Sequence, residues 1–200
     1  MTDLFEEKAQ DWDANERRSK LASAVGSSIL EHVPLHRQMT VLDFGAGTGL
    51  ISAQIAPLVN RIVAADTSKA MLEKLAAKPE LEGKVDVVCQ DITEHPLDAR
   101  FDLIISSMTM HHVESTARLM QRFAEHLNES GLIALADLDK EDGSFHPADT
   151  EGVFHFGFDR DELRLILENH GFEQVKFFTA HTIYGEEKDY PIFLVTARKT

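Results

Sequence analysis

Cysteine is nearly absent from this chain of 200 residues. Its single thiol, Cys89, lies in the apolar run VDVVC, so no intramolecular disulfide can form and a reducing compartment is expected. The chain also lacks a run of about 18 apolar residues that could span a bilayer, and it lacks a basic and apolar leader at its start. These absences predict a cytoplasmic protein without a membrane partner.

Positive charge is scarce. Lys and Arg number 20 against 34 Asp and Glu, which gives a formal net charge of −14. Because that charge repels phosphate backbones, we predict no nucleic-acid partner and a small-molecule substrate. No internal repeat, low-complexity tract or long Pro/Gly/Ser linker divides the chain. We therefore expect one domain over residues 1–200.

Motifs for metal or phosphate binding are also missing. The sequence has no CxxC, HExxH or Walker loop. His32 and His36 are spaced four apart, but Pro34 interrupts the helix that would bring both to one metal. The sequence therefore predicts no metal site.

Alternating strand-like and helix-like segments are present instead. Runs such as RIVAAD and FDLIISS are rich in Val, Ile, Leu and Ala, as a parallel sheet covered on both faces requires. The last two such runs are joined by GEEKDYP, which is too short for a crossover helix, so they should pair antiparallel. We predict an α/β fold with a doubly wound, mostly parallel seven-stranded sheet and a terminal hairpin.

Two helices are expected before the first strand. Phe5, Ala9 and Trp12 share one helical face, and a second helix follows in residues 21–29. Both have a narrow apolar stripe, which is typical of segments with few buried contacts. We therefore predict that residues 1–35 form an N-terminal helical lid.

Three glycines alternate in VLDFGAGTGL, directly after the first strand-like run. Gly45, Gly47 and Gly49 indicate either a ligand that approaches the backbone closely or an unusually tight strand-to-helix turn.

Acidic residues end the first three strands. Asp66 lies 17 residues beyond Gly49, about where a carboxylate accepts the hydroxyls of an adenosine ribose. Asp91 could accept from an exocyclic amino group, and Asp43 would favour a cationic ligand near the glycine turn. Each of the three could equally be a helix N-cap, so the two interpretations stay open for any one of them.

The segments VLDFGAGTG, AADTSKAML, VVCQDIT and FDLIISSMTMHHV together resemble the class I S-adenosylmethionine-dependent methyltransferases, most nearly the small type 11 group of the UbiE and BioC kind. The resemblance covers nearly the whole chain and implies the strand order 3-2-1-4-5-7-6 and the cofactor S-adenosyl-L-methionine. It also implies a set of cofactor-binding residues, namely Asp43, Gly45, Ala46, Gly47, Gly49, Asp66, Thr67, Met71, Asp91, Ile92 and Ser107.

Two other functions stay open. A nicotinamide-dependent oxidoreductase would need Gly or Ala where Leu50 stands in its G-x-G-x-x-G/A fingerprint. A module that binds the cofactor without turning it over would have the same fold. The fourth strand lacks the Asn/Asp-Pro-Pro-aromatic ending of methyltransferases that act on nucleic-acid amino groups, which again argues against DNA or RNA.

Histidines follow the fourth and fifth strands, where the acceptor should bind. His111, His112 and His155 are candidate catalytic residues, because an acceptor that carries a proton needs a general base. Trp12, Asp139 and His146 are the candidate substrate-pocket residues. The alternative is structural: the first two histidines would pack or cap the next helix, and the long loop would be a solvated acidic segment.

Overall fold

The computed structural model describes residues 3, 5–147 and 149–200. Over these residues the chain forms one seven-stranded sheet in the order β3-β2-β1-β4-β5-β7-β6, in which only the pairs that include β7 are antiparallel. The predicted fold class and strand order are confirmed. The strands are β1 (Thr40–Phe44), β2 (Arg61–Asp66), β3 (Val85–Cys89), β4 (Phe101–Ser107), β5 (Leu127–Leu138), β6 (Phe172–Tyr184) and β7 (Asp189–Lys199).

Helices connect most of the consecutive parallel strands, whereas a loop joins β3 to β4, and polar side chains start several of the helices. Ser68 and Ser115 each accept a backbone N–H three residues ahead, and Asp159 accepts two, so each satisfies N–H groups that a helix start leaves unpaired. The helices are α1 (Glu6–Ala9), α2 (Glu16–His32), α3 (Leu50–Ile55), α4 (Lys69–Ala76), α5 (Thr116–His126) and α6 (Arg160–Asn169), with short 3-10 turns at Ala56–Leu58, Pro79–Leu81 and Met110–His112.

Apolar side chains form a core on each face of the sheet. Neighbouring residues of β1 take opposite faces: Val41 packs in the cluster with α2, α3 and α4, and Leu42 in the cluster with α5 and α6. Both residues are fully buried, as are Ile104 and Ile133 on the adjacent strands. The sheet is therefore a rigid platform whose parallel strands end along one edge.

The N-terminal segment differs from its prediction. The first helix ends at Ala9, so Trp12 lies beyond it in a turn, because a four-residue helix is too short to continue the apolar face. Val25 and Ile29 of α2 are fully buried in the core. The second half of α2 is therefore part of the core. For the residues before that half, the lid stays a prediction. Residues 1, 2 and 4 of the predicted lid lie outside the described residues.

No helix in the described part of the chain is both long and apolar enough to cross a membrane.

Candidate functional site

A cavity of about 1070 Å³ opens at the carboxyl edge of the sheet. It is large for a ligand pocket, for which roughly 300–1,000 Å³ is usual, so it has room for two small molecules side by side. We distinguish two parts. The glycine end is lined by Gly45, Ala46, Gly47, Asp66, Met71 and Asp91, and the histidine end by Phe5, His111, His112, Phe145 and His146.

The three alternating glycines all have positive φ, of +67°, +54° and +78°, but for different reasons. A Cβ on Gly45 would overlap the Thr109 side chain, and one on Gly49 would lie 2.7 Å from Cγ of Leu75. A Cβ on Gly47 would have no atom within 4 Å among the described residues, because this residue faces the cavity. Gly49 lies outside the cavity lining and serves the start of α3, whereas Gly47 leaves space for a ligand.

Asp66 holds the glycine turn in place. Its Oδ2 accepts the backbone N–H of Gly47 at 2.7 Å, and its Oδ1 accepts that of Ser68 at 2.8 Å. Burial raises the pKa of the Asp66 carboxyl above its usual value. Each carboxylate oxygen has a further lone pair, so hydroxyl groups of a ligand can still bind there.

Asp43 is almost completely buried, at 2% exposure, beneath the glycine turn. Burial raises the pKa of Asp43 to about 7; the Ser52 hydroxyl, which donates to Oδ2 at 2.6 Å, opposes the rise, and the charge of Asp66 adds to it. The carboxyl is therefore only partly ionised near neutral pH. The charge that the sequence suggested for attracting a cation is correspondingly reduced.

The other predicted cofactor residues divide between cavity and core. Asp91 accepts the backbone N–H and the hydroxyl of Thr93 through Oδ1, at 2.8 and 2.6 Å, and it lines the cavity. Ile92 is fully buried in the core beside α5, so its side chain does not reach the cavity. The remaining predicted residues that line the cavity are Ala46, Thr67, Met71 and Ser107.

His111 is buried against a carboxylate that the sequence reasoning missed. Its Nδ1 lies 2.7 Å from Oδ1 of Asp137, and its backbone N–H donates to Oδ2 at 3.2 Å. Asp137 has no exposed surface and also accepts the backbone N–H of Leu138. A single acid inside the apolar strand LIALADL was the available signal, because a buried charge needs partners.

His146 closes the histidine end from the loop between β5 and α6. Its Nε2 lies 3.3 Å from Nε2 of His111. The loop is held by Glu141, whose Oε2 accepts the backbone N–H groups of residues 143, 144 and 145. Burial and then the nearby His111 lower the pKa of His146, so its imidazole is neutral at physiological pH.

His112 also binds the loop between β5 and α6. Its Nδ1 donates to the Gly152 carbonyl at 2.7 Å, and its ring centroid lies 4.1 Å from that of His111 and 5.7 Å from that of Phe5. Burial, followed by the electrostatic effect of the neighbouring His111, lowers the pKa of His112 to about 4. It is therefore a neutral wall of the cavity.

Two further predicted site residues, besides Gly49 and Ile92, lie outside the cavity lining. The Nε2 of His155 donates to the Val113 carbonyl at 2.9 Å, which fastens the loop to the turn before α5. Asp139 forms a two-point ion pair with Arg160, with N···O distances of 2.7 and 2.8 Å. Both residues therefore make structural contacts outside the cavity lining, and the catalytic role of His155 and the substrate-pocket role of Asp139 stay predictions that this geometry does not favour.

The N-terminal segment covers the cavity. Trp12 lines it, and the Arg18 guanidinium lies 3.9 Å from the Trp12 ring centroid, where burial lowers the pKa of Arg18. Asp13 accepts the hydroxyl of Thr48 at 2.5 Å and pairs with Lys78 at 2.7 Å. The segment is therefore tied to the glycine turn, through residues that the sequence analysis did not select.

Within the described residues, no group of three or more His, Cys, Asp and Glu side chains is arranged to hold a metal ion.

Comparison with known proteins identifies the family. The family model described as a methyltransferase domain matches residues 14–177. An uncharacterized methyltransferase of Schizosaccharomyces pombe is 30% identical over 135 residues, which are 60% of this chain and 48% of that protein. A malonyl-[acyl-carrier protein] O-methyltransferase of Anoxybacillus flavithermus is 29% identical over 157 residues, which are 77% of this chain and 58% of that protein. The chain thus spans about half the length of these two relatives.

Solved structures share the fold at low identity. The complex of DhpI with SAH superposes with a TM-score of 0.77 at 17% identity and covers 98% of this chain and 95% of that one. Phosphoethanolamine N-methyltransferase 2 of Haemonchus contortus, in complex with S-adenosyl-L-methionine, gives a TM-score of 0.72 at 14% identity over 98% of this chain and 60% of that one.

The glycine end fits S-adenosyl-L-methionine. This cofactor carries no phosphate, and the end offers open space at Gly47, carboxylates at Asp66 and Asp91, and the apolar Met71 side chain. Hydroxyl groups, an amino group and a flat apolar base can use these features. The chain belongs to the methyltransferase domain family.

Proposed function

We propose that this protein is an S-adenosyl-L-methionine-dependent methyltransferase that transfers the methyl group to a small-molecule acceptor by in-line displacement. The cofactor binds at the glycine end and the acceptor at the histidine end. The observation that carries the proposal is the single cavity of about 1070 Å³, because both ends open into it and it can hold both molecules. S-adenosyl-L-methionine supplies a methyl group on a cationic sulfur, so the protein mainly has to align the nucleophile and exclude water.

The residues of the glycine end have distinct roles in this proposal. Gly45, Ala46 and Gly47 allow close backbone approach, Asp66 accepts the ribose hydroxyls, and Asp91 accepts the adenine amino group. Thr67, Met71 and Ser107 supply the remaining walls. Arg17 and Arg18 line the cavity and form no ion pair among the described residues, which suits the cofactor's one carboxylate.

The histidine end sets the choice of acceptor. The relatives' names give a malonyl-[acyl-carrier protein] and a phosphoethanolamine as acceptors, so the family fold serves different nucleophiles. The lining of this end is rich in aromatic rings, with Phe5, Trp12, Phe145 and Phe154. We therefore propose a small apolar acceptor. The net charge of −14 supports an acceptor other than a nucleic acid. The single cysteine supports a reducing, cytoplasmic location.

Residues 5–18 are proposed as the lid over the two ligands. The ties of Asp13 to Thr48 and Lys78 hold this segment at the glycine turn, and its two aromatic residues face the cavity. Closure of such a segment excludes water from the reacting groups.

The test is to incubate the protein with S-adenosyl-L-methionine and a panel of small phenols, acids, amines and thiols, and to measure S-adenosylhomocysteine by mass spectrometry. At least one acceptor should give product well above the acceptor-free rate. Binding of the cofactor without turnover on any acceptor would instead support a sensing module, and equal stabilisation by NAD would support an oxidoreductase.

A further inference from the structure

Three side chains at the histidine end form a continuous hydrogen-bonded chain, Asp137 to His111 to His146. A carboxylate only accepts, so Nδ1 of His111 carries the proton of the first bond, and in the neutral imidazole Nε2 then carries a lone pair. The second bond joins Nε2 of His111 to Nε2 of His146, so the proton of that bond belongs to His146. The remaining nitrogen, Nδ1 of His146, then carries a lone pair and has no partner among the described residues.

Burial distinguishes the three groups. Asp137 has no exposed surface and His111 is 1% exposed, whereas His146 is half-buried. Both ring nitrogens of His111 are engaged within the chain, so an acceptor that enters the cavity finds neither of them free. Of these three side chains, only His146 offers an acceptor a basic nitrogen, namely its Nδ1.

We propose that Asp137, His111 and His146 form a proton relay that deprotonates the methyl acceptor. Nδ1 of His146 takes the acceptor's proton, while its own Nε2 proton passes to Nε2 of His111. The acceptor oxygen keeps the electron pair of its O–H bond and uses it to bond the methyl carbon, and the pair of the broken C–S bond stays on sulfur. His111 ends as an imidazolium beside the Asp137 carboxylate. This inference rests on the proposed methyl transfer.

The charges around the chain favour this direction of transfer. Asp137 lies 2.7 Å from the nitrogen that shares the new positive charge on His111. Glu141 and Asp137 raise the pKa of His146 and Lys8 lowers it, while His112, which is neutral, adds no positive charge beside His111. A proton relayed to His111 therefore lies on a ring that is hydrogen-bonded to a carboxylate, whereas His146 has no carboxylate bonded to it among the described residues.

The relay selects a class of acceptor. It helps only a nucleophile that arrives with a proton, so thiolates and carboxylates would gain nothing from it. Four aromatic rings line the neighbouring wall and suit a flat apolar body. The acceptor class we infer is a phenol, which is protonated at neutral pH because an ordinary phenolic pKa is about 10.

The first test uses the cofactor-free protein and needs no turnover. Two-dimensional proton–nitrogen NMR of the imidazoles should show a proton on Nδ1 of His111 and on Nε2 of His146, with a lone pair on the other nitrogen of each ring. Asp137→Asn should change the tautomer of His111. A proton on Nε2 of His111 in the wild-type protein would overturn the relay.

The second test separates base catalysis from alignment. With a phenol of ordinary pKa, His146→Gln should lower kcat about 100-fold, the usual scale for a general base, with little change in the KM for cofactor. With 4-nitrophenol at pH 8, which is already ionised, the same variant should lose less than threefold. His36→Gln is the control: this exposed histidine lies before β1, outside the cavity lining, and its variant should behave as wild type.

Equal losses of His146→Gln on both phenols would overturn the relay, because the histidine would then act only by position. If no acceptor yields S-adenosylhomocysteine, the proposed function fails, and the NMR tautomers still decide whether the hydrogen-bonded chain exists.

Discussion

The two ends of the cavity hold their polar groups in different ways. At the glycine end, positive-φ backbone and a carboxylate that binds main-chain N–H groups fix the shape, all within residues 43–71. At the histidine end, side chains bind one another over long sequence separations: His111 and Asp137 are 26 residues apart, and His111 and His146 are 35 residues apart. His146 lies on a loop. Cofactor affinity and proton transfer should therefore respond to different substitutions.

His111→Gln should have the largest effect, and on turnover alone. Removal of the group that receives the relayed proton should lower kcat with a phenol about 100-fold to 10,000-fold, while the Kd for S-adenosylhomocysteine stays within threefold of wild type. Isothermal titration and single-turnover kinetics check the two quantities. A comparable loss of cofactor affinity would mean that the two ends are not separable.

Gly47→Val should have the opposite pattern. A branched side chain at a φ of +54° is strained and also occupies the cavity, so we expect the Kd for S-adenosylhomocysteine to rise by about 100-fold or more. Gly83→Val is a matched control, because Gly83 also has a positive φ and no neighbour within 4 Å among the described residues. The control should lower Tm similarly and leave the Kd unchanged. A higher Kd in both variants would mean that backbone strain, and not occupation of the cavity, causes the loss of affinity.

Asp43 predicts a pH dependence of stability. Its pKa in the folded protein is about 7 and its unfolded value is near 3.8, so the folded state binds the extra proton between these values. Below about pH 4 the carboxyl is protonated in both states and does not lower the free energy of unfolding. As the pH rises from there towards 7, the free energy of unfolding falls. Relative to wild type, Asp43→Asn should gain roughly 2–3 kcal/mol on going from pH 5 to pH 8. Urea unfolding at both values checks this, and a pH-independent difference would contradict it.

Asp66→Ala should weaken the cofactor moderately. It removes a carboxylate that we assign to the ribose, which costs about 1.5–3 kcal/mol, or roughly tenfold or more in Kd. It also frees the N–H of Gly47, so Asp66→Asn serves as the control that keeps an acceptor there. Unchanged affinity in the alanine variant would place the ribose elsewhere.

Asp13→Ala should have the smallest effect. Its ties to Thr48 and Lys78 are partly exposed, so we expect a change of about threefold or less in Kd. The sensitive readout is emission of Trp12, the only tryptophan of the chain, together with amide exchange over residues 5–18. Ligand should slow that exchange in wild type and less in the variant. Equal protection with and without ligand in wild type would make the segment ordinary scaffold.

The glycine end and the sheet could be predicted from the sequence because their determinants are local. Val, Ile and Leu runs fix the strands, and three glycines with three strand-end acids mark the edge where they meet. The partner of His111 could not be predicted, because Asp137 belongs to another strand and only the pairing of β4 with β5 brings them together. Likewise, Asp139 stands at a suitable strand end, but Arg160 of α6 engages it.

Side-chain identity also could not reveal which histidine faces the acceptor. His111, His112, His146 and His155 are all near strand ends or in the loop, yet their hydrogen bonds assign them different tasks. The length of the first helix was overestimated for a similar reason. A shared apolar face is compatible with a short helix followed by a turn, because the Phe5 ring packs against the rings of Trp12 and His112 without a continuous helix.

The most direct test of the two-ended cavity is a crystal structure of the protein with S-adenosylhomocysteine. The account predicts the ribose hydroxyls within hydrogen-bond distance of the Asp66 carboxylate, the backbone of Gly47 against the ligand, and open space between the ligand sulfur and His146. A ligand whose ribose lies away from Asp66, or whose body fills the histidine end, would contradict it.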